Sequence, residues 1–200
     1  MFKSLFKNKL VINHEEQLAE WEKNGRPLPP PHIVKQKAID EYRKKFNTEI
    51  LVETGTYLGD MVEAQRNNFQ KIYSIELSEK LFMRAKKRFD AYSYIEILNG
   101  DSGVVLERLI PQINNPAIFW LDGHYSEGIT AKGTKECPVV EELVAIFKSH
   151  LPHLILIDDA RLFDGTHDYP SIDEIKTILR ESGRNHLLEI KNDIIRMVPG

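Results

Sequence analysis

The chain has 200 residues, of which 42% are hydrophobic and 28% are charged, as is ordinary for one globular domain. Its formal net charge of -3 gives no overall attraction to nucleic acid, and its single cysteine, Cys137, excludes an internal disulfide and a multi-cysteine zinc site. No apolar run is long enough to cross a bilayer and no signal-peptide core is recognisable, so the cytoplasm is the expected location.

The first part of the chain predicts helices that precede the main domain. Residues 15–46 have a helical pattern, which the proline-rich stretch 25–31 interrupts because a run of prolines cannot continue a helix. We therefore predict an N-terminal helical extension over residues 1–47 and a main domain over residues 48–200. The extension either shapes a binding pocket or pairs with another subunit.

A strand, a glycine turn and a helix start follow one another from residue 49, and segment 52–59 reads Val-Glu-Thr-Gly-Thr-Tyr-Leu-Gly. Gly55 permits a tight turn, and Gly59 permits close approach of a ligand or of the next element. Such a turn at a helix N-terminus is typical of a nucleotide-type site. The carboxylate of Glu53 would repel a pyrophosphate, so a ligand with positive charge is favoured over NAD.

Strand and helix patterns alternate through the rest of the chain. Ser78 is a predicted helix cap, Ser171 and Glu174 form a predicted capping box, and residues 186–198 predict a closing hairpin. Continuously apolar strands separated by helices indicate a parallel sheet that is covered on both faces. These strands are predicted at residues 71–75, 94–98, 117–121 and 154–157.

Every predicted parallel strand delivers an acidic residue at its end. In open parallel sheets ligands bind outside the carboxyl ends of the strands. Because carboxylates that share one edge repel one another, cationic ligands or metals are expected to neutralise them. Glu76 lies 23 positions after Glu53, near the spacing of about 20 at which an acidic residue reaches a ribose hydroxyl. The full set is Glu53, Glu76, Asp101, Asp122, Asp158 and Asp159.

The residues after the fourth and fifth strands predict a metal site. Asp122 ends the fourth strand within Leu-Asp-Gly-His, and the pair Asp158-Asp159 ends the fifth. Three carboxylates without cysteine suit Mg²⁺ or another hard divalent cation better than zinc. Residues 125–136, which lie between them, are either a lid over the site or a solvated connector.

The acidic residue and glycine turn resemble the first motif of the class I S-adenosylmethionine-dependent methyltransferases, with Tyr57 in place of the middle glycine. The order of elements across residues 48–200 resembles the same family. This resemblance implies a Rossmann-like, doubly wound, mostly parallel seven-stranded sheet with a C-terminal antiparallel hairpin. It also implies that the chain is an enzyme with S-adenosylmethionine as cofactor.

The same resemblance implies a set of cofactor contacts. Glu76 would bind the ribose, Asp101 with Ser102 would lie on the adenine side, and the turn residues would flank the methionine part. Tyr57 either closes over the cofactor or is a packed loop tyrosine. The complete predicted set is Glu53, Gly55, Thr56, Tyr57, Gly59, Glu76, Asp101, Ser102 and Asp122.

Asp122 and the pair Asp158-Asp159 resemble the metal ligands of the metal-dependent sugar O-methyltransferases of the macrocin type. In those enzymes an Asp-Gly-Asp strand end and an Asp-Asp pair hold the metal. This implies that Asp122, Asp158 and Asp159 bind Mg²⁺ and that the acceptor is a hydroxyl of a sugar or glycosylated small molecule. His124 replaces the second aspartate, which is the base in that family. It is either the catalytic base or a hydrogen-bonded structural histidine.

The sequence also allows two other functions. One is a non-catalytic cofactor-binding protein of the same fold, which the replacements at Tyr57 and His124 allow. The other is a metal-dependent nucleotide-sugar transferase that uses Asp158-Asp159 for a metal-bound diphosphate. In each case the expected partner is a small molecule or glycan rather than a nucleic acid, and the sequence also allows a homo-oligomer.

Overall fold

The computed structural model describes residues 13–123 and 137–200. Within these ranges the strands are β1 (Ile50–Thr54), β2 (Lys71–Glu76), β3 (Ile95–Asn99), β4 (Ala117–Leu121), β5 (Leu154–Ile157), β6 (His186–Lys191) and β7 (Ile194–Pro199). The helices there are α1 (His14–Lys23), α2 (His32–Phe46), α3 (Asp60–Gln65), α4 (Glu79–Phe89), α5 (Ser102–Leu109), α6 (Val139–Phe147) and α7 (Ile172–Glu181).

All the strands belong to one seven-stranded sheet in the order β3-β2-β1-β4-β5-β7-β6. The first five strands of this order are parallel, whereas β7 is antiparallel to β5 and β6 is antiparallel to β7. The predicted doubly wound sheet and its closing hairpin are therefore confirmed. Because β1, β2, β4 and β5 run in the same direction, their carboxyl ends meet at one edge of the sheet.

Helices cover both faces of the sheet, which explains why the parallel strands are apolar at successive positions. On one face, Leu106 of α5, Leu143 of α6 and Ile175 of α7 are fully buried in one core cluster. On the other face, Ile39 of α2 and Val62 of α3 are fully buried in a second cluster.

Helix α2 packs directly on the sheet, although it lies in the predicted N-terminal extension. Its Tyr42 hydroxyl donates to Oε1 of Glu189 at 2.8 Å, and the buried guanidinium of Arg196 lies over the Tyr42 ring. This packing carries Lys35, two turns earlier in the same helix, to the carboxyl edge of the sheet. No helix in the described parts of the chain is long and apolar enough to cross a membrane.

The predicted local signals are present. Ser78 caps α4, and Ser171 and Glu174 form the capping box of α7. Helix α5 begins at Ser102, where the Asp101 side chain accepts from the backbone amides of Gly103 and Val104 and caps the helix.

Candidate functional site

The predicted acidic residues lie along one edge of the sheet. Glu53 is the penultimate residue of β1 and Glu76 is the last residue of β2, whereas Asp101 follows β3 and Asp122 follows β4. Strands β4 and β5 are neighbours, as the metal-site prediction requires. The sheet therefore brings the predicted cofactor residues and the proposed metal ligands together at one of its edges.

The glycine turn passes closely over the end of β4. Gly55 has φ +84°, and a Cβ atom at this position would lie 2.2 Å from the carbonyl oxygen of Asp122. Tyr57, which replaces the middle glycine of the family motif, nevertheless takes the left-handed conformation with φ +49°. Gly59 faces Phe89 of α4, so its small size serves helix packing. The turn is thus retained without its middle glycine.

One carboxylate oxygen of Glu76 bonds to this turn, and the other bonds to the N-cap residue of α4. Its Oε2 accepts from the backbone amide of Tyr57 at 2.7 Å, and its Oε1 accepts from the amide of Ser78 at 2.9 Å. The residue is 5% exposed. Since a carboxylate has about four lone-pair sites, Glu76 can accept further hydrogen bonds, as the predicted contact with ribose hydroxyls requires.

Glu53 lies beneath the turn. Its Oε2 accepts from the hydroxyl of Ser74, which is 2.6 Å from the hydroxyl of Thr56. Burial raises the pKa of Glu53 to about 8, and the negative charges of Asp122 and Glu76 act in the same direction. At neutral pH Glu53 is therefore mostly a neutral acid that links β1 to β2.

Asp101 and Ser102, the predicted adenine-side pair, form the start of α5. The Asp101 Oδ1 atom accepts from Gly103 at 3.0 Å, and Ser102 is buried. Asp101 also borders a surface groove of about 640 Å³ between α5 and α6. Its carboxylate therefore has a structural role beside the predicted one.

The proposed metal ligands form a compact cluster. One carboxylate oxygen from each of Asp122, Asp158 and Asp159 lies within 4.8 Å of the others. Asp159 has a left-handed backbone, φ +54°, and its amide donates to Oδ1 of Asp158 at 2.8 Å. Left-handed backbone at a non-glycine residue is strained, and such strain tends to occur at functional sites.

Two cations that sequence reasoning missed contact this cluster. Nζ of Lys35 donates to Oδ2 of Asp158 and, at 3.3 Å, to Oδ1 of Asp159. Arg161 donates to the same Asp159 oxygen at 2.8 Å and also pairs with Asp193 at the hairpin turn. Burial alone would lower the pKa of Lys35, but the carboxylates, Asp158 foremost, raise this pKa above its usual value, so the amine is an ammonium.

The donor set fits a hard divalent cation, since it offers three carboxylates from two neighbouring strand ends. The Lys35 ammonium, however, contacts two of these three ligands, so a metal and this ammonium compete for the same oxygens. His124, the predicted base, and the predicted lid at residues 125–136 lie outside the described residues.

Several solved methyltransferases have this fold. S-adenosylhomocysteine (SAH)-bound methyltransferase PaMTH1 of Podospora anserina matches with a TM-score of 0.60 at 15% identity, over 92% of this chain and 87% of its own. The SAH-bound O-methyltransferase from Bacillus cereus gives 0.59 at 14% identity, over 94% and 93%. O-Methyltransferase TomG from Streptomyces achromogenes, bound to S-adenosylmethionine, gives 0.59 at 13% identity, over 94% and 89%.

No protein-family profile and no curated protein sequence matches the chain. At the identities above, the structural similarity establishes the fold, which is the Rossmann-like fold of these methyltransferases.

Proposed function

We propose that the protein is an S-adenosylmethionine-dependent O-methyltransferase. The observation that carries this proposal is the row of acidic side chains along the edge of β2, β1, β4 and β5, in which Glu53 is the neutral member, beside a glycine turn at the same edge. An acidic edge favours a cationic ligand, such as the sulfonium of S-adenosylmethionine, over a pyrophosphate. The neighbouring structures that hold SAH or S-adenosylmethionine support the same cofactor.

The cofactor would lie along the glycine turn. Glu76, which two backbone amides already orient, would accept hydrogen bonds from the ribose hydroxyls. Asp101 and Ser102 would lie on the adenine side. The methionine part would contact Gly55, Thr56, Tyr57 and Gly59, with Glu53 beneath them and Asp122 on the far side.

On the acceptor side, Asp122, Asp158 and Asp159 would hold Mg²⁺. When bound, the ion supplies Lewis-acid activation of a hydroxyl group. The main contribution of the protein would be to orient acceptor and cofactor, which supplies about 7–11 kcal/mol in well-oriented systems. From its place directly after Asp122-Gly123, we assign His124 the role of base, and the acceptor is a sugar or glycosylated small molecule.

Titration calorimetry with SAH, in Mg²⁺ and again in EDTA, tests the cofactor assignment. We expect micromolar binding in both conditions, because the ribose and turn contacts belong to β1 and β2 and only Asp122 is shared with the metal ligands. Absence of binding in both would refute the methyltransferase proposal, and binding of a nucleotide-sugar instead would favour the transferase alternative.

Methyl transfer from labelled S-adenosylmethionine to a panel of sugars and glycosylated small molecules then tests the reaction. Turnover that EDTA abolishes supports the full proposal. Cofactor binding without turnover on any hydroxyl acceptor would favour the non-catalytic alternative.

A further inference from the structure

The Lys35–Asp158 ion pair joins two residues that are 123 positions apart in the chain. The Asp158 side chain is fully buried, and the Lys35 side chain is 14% exposed. Both Asp158 oxygens have partners, since Oδ1 accepts from the Asp159 amide and Oδ2 accepts from Lys35. A cation that binds Asp158 and Asp159 together must therefore contend with the ammonium that already bridges them.

We propose that Lys35 is the internal counter-ion of this site and that a divalent cation binds by displacing its ammonium from Asp158 and Asp159. The inference rests on the proposed metal-assisted function, because it assigns a competitor to that metal. Lysine suits this role, since its charge is carried on a flexible chain that can leave the carboxylates without a backbone change.

Arg161 makes such an exchange feasible. It contacts Asp159 and is anchored by Asp193, whose side chain is 1% exposed. Asp159 therefore keeps one cationic partner when Lys35 leaves, and its carboxylate stays oriented. Asp158 likewise keeps its bond from the Asp159 amide. The carboxylates of Asp158 and Asp159 are therefore held in place by interactions that do not involve Lys35.

A consequence is that metal affinity and the position of α2 are coupled. The free energy of the Lys35 ion pair opposes metal binding, and by linkage the metal weakens that ion pair to the same extent. Helix α2 therefore sets how much free divalent cation the site needs.

Titration of Mn²⁺ into the full chain tests this inference, with free Mn²⁺ followed by electron paramagnetic resonance. Lys35→Met removes the competing charge and keeps a similar chain length, so we expect Mn²⁺ to bind about tenfold more tightly than to the wild type. Lys37→Met, an exposed position of the same helix, is the matched control and should leave the affinity unchanged.

Lys35→Gln is the second variant, because its amide can still donate to Asp158 without a charge; it decides the test if Lys35→Met does not fold. Unchanged or weaker Mn²⁺ binding in the folded Lys35 variant would overturn the inference, as would no Mn²⁺ binding in either protein. SAH titration of the same samples separates this failure from failure of the methyltransferase proposal, since loss of the metal role leaves SAH binding intact.

Discussion

The backbone amide of Tyr57 donates to Oε2 of Glu76 at 2.7 Å, which joins the glycine turn after β1 to the end of β2. Tyr57 has φ +49°, a conformation in which an L-residue is strained. The charge-assisted bond to Glu76 offsets part of that strain. The carboxylate proposed to bind the ribose thus also holds the turn on which the cofactor would rest.

Glu76→Gln should therefore weaken SAH binding by about tenfold to a hundredfold. The amide replaces one acceptor oxygen by a donor, which cannot accept from Tyr57 or Ser78 and leaves one of these amides without its bond. Titration calorimetry with SAH measures the loss. Glu79→Gln, an exposed change in the first turn of α4, should keep wild-type affinity; equal affinities in the two variants would contradict the role of Glu76.

Gly55→Ala should destabilise the fold by about 3 kcal/mol or more, since left-handed strain and a steric clash add. The new Cβ would lie 2.2 Å from the carbonyl oxygen of Asp122. Urea unfolding measures the decrease in the free energy of unfolding.

Gly183→Ala separates the two causes. Gly183 has φ +67°, and an added Cβ there would meet no heavy atom within 4 Å in the described parts of the chain. Only conformational strain applies to this variant, so we expect its free energy of unfolding to fall by about 1 kcal/mol. If both variants lose the same free energy, close contact with β4 is not what requires glycine at position 55.

The fold and the acidic edge were predictable because both follow from local pattern. Continuous apolar strands require a sheet covered on both faces, and parallel direction then brings the residues after β1, β2, β4 and β5 to one edge. Because β4 and β5 are neighbours in the sheet, Asp122 lies close to Asp158 and Asp159, as the metal-site prediction required.

The charge balance of that edge was not predictable in the same way. Lys35 reaches Asp158 only because α2 packs on the sheet, and no spacing rule connects two residues that are 123 positions apart. Arg161 follows the Asp pair closely, yet its orientation depends on Asp193 in the hairpin turn. The protonation of Glu53 likewise depends on burial, which a motif does not specify.

Glu53 should make the fold less stable as pH rises. In the unfolded chain its pKa is near the ordinary glutamate value of 4.5, whereas in the folded protein it is about 8. Between these values the folded state binds the extra proton, so stability falls with rising pH, by up to about 1.4 kcal/mol per pH unit.

Glu53→Gln keeps the shape of the neutral acid and removes this dependence. Its stability relative to wild type should therefore increase from about pH 5 to about pH 8, as measured by urea unfolding across the range. Glu79→Gln, which changes an exposed carboxylate, should give a curve parallel to that of the wild type. A parallel curve for Glu53→Gln as well would mean that Glu53 is ionised in the folded protein at neutral pH.

Asp158→Asn should abolish the metal-dependent part of turnover and leave SAH affinity nearly unchanged. The variant removes one of three proposed metal ligands, whereas the ribose and turn contacts belong to β1 and β2. It also removes the main partner of the Lys35 ammonium, which is 14% exposed, so we expect a loss of about 3 kcal/mol in unfolding free energy.

Asp173→Asn is the control for that loss. Asp173 pairs with Lys176 at 2.9 Å, but its side chain is 89% exposed, and removal of such a surface pair changes stability little. Methyl-transfer assays with and without EDTA, together with SAH titration and urea unfolding, give the required measurements on both variants. Turnover of Asp158→Asn that equals the wild-type rate in Mg²⁺ would refute the metal role of the cluster, whereas a loss of SAH affinity would mean that the cluster also shapes the cofactor site.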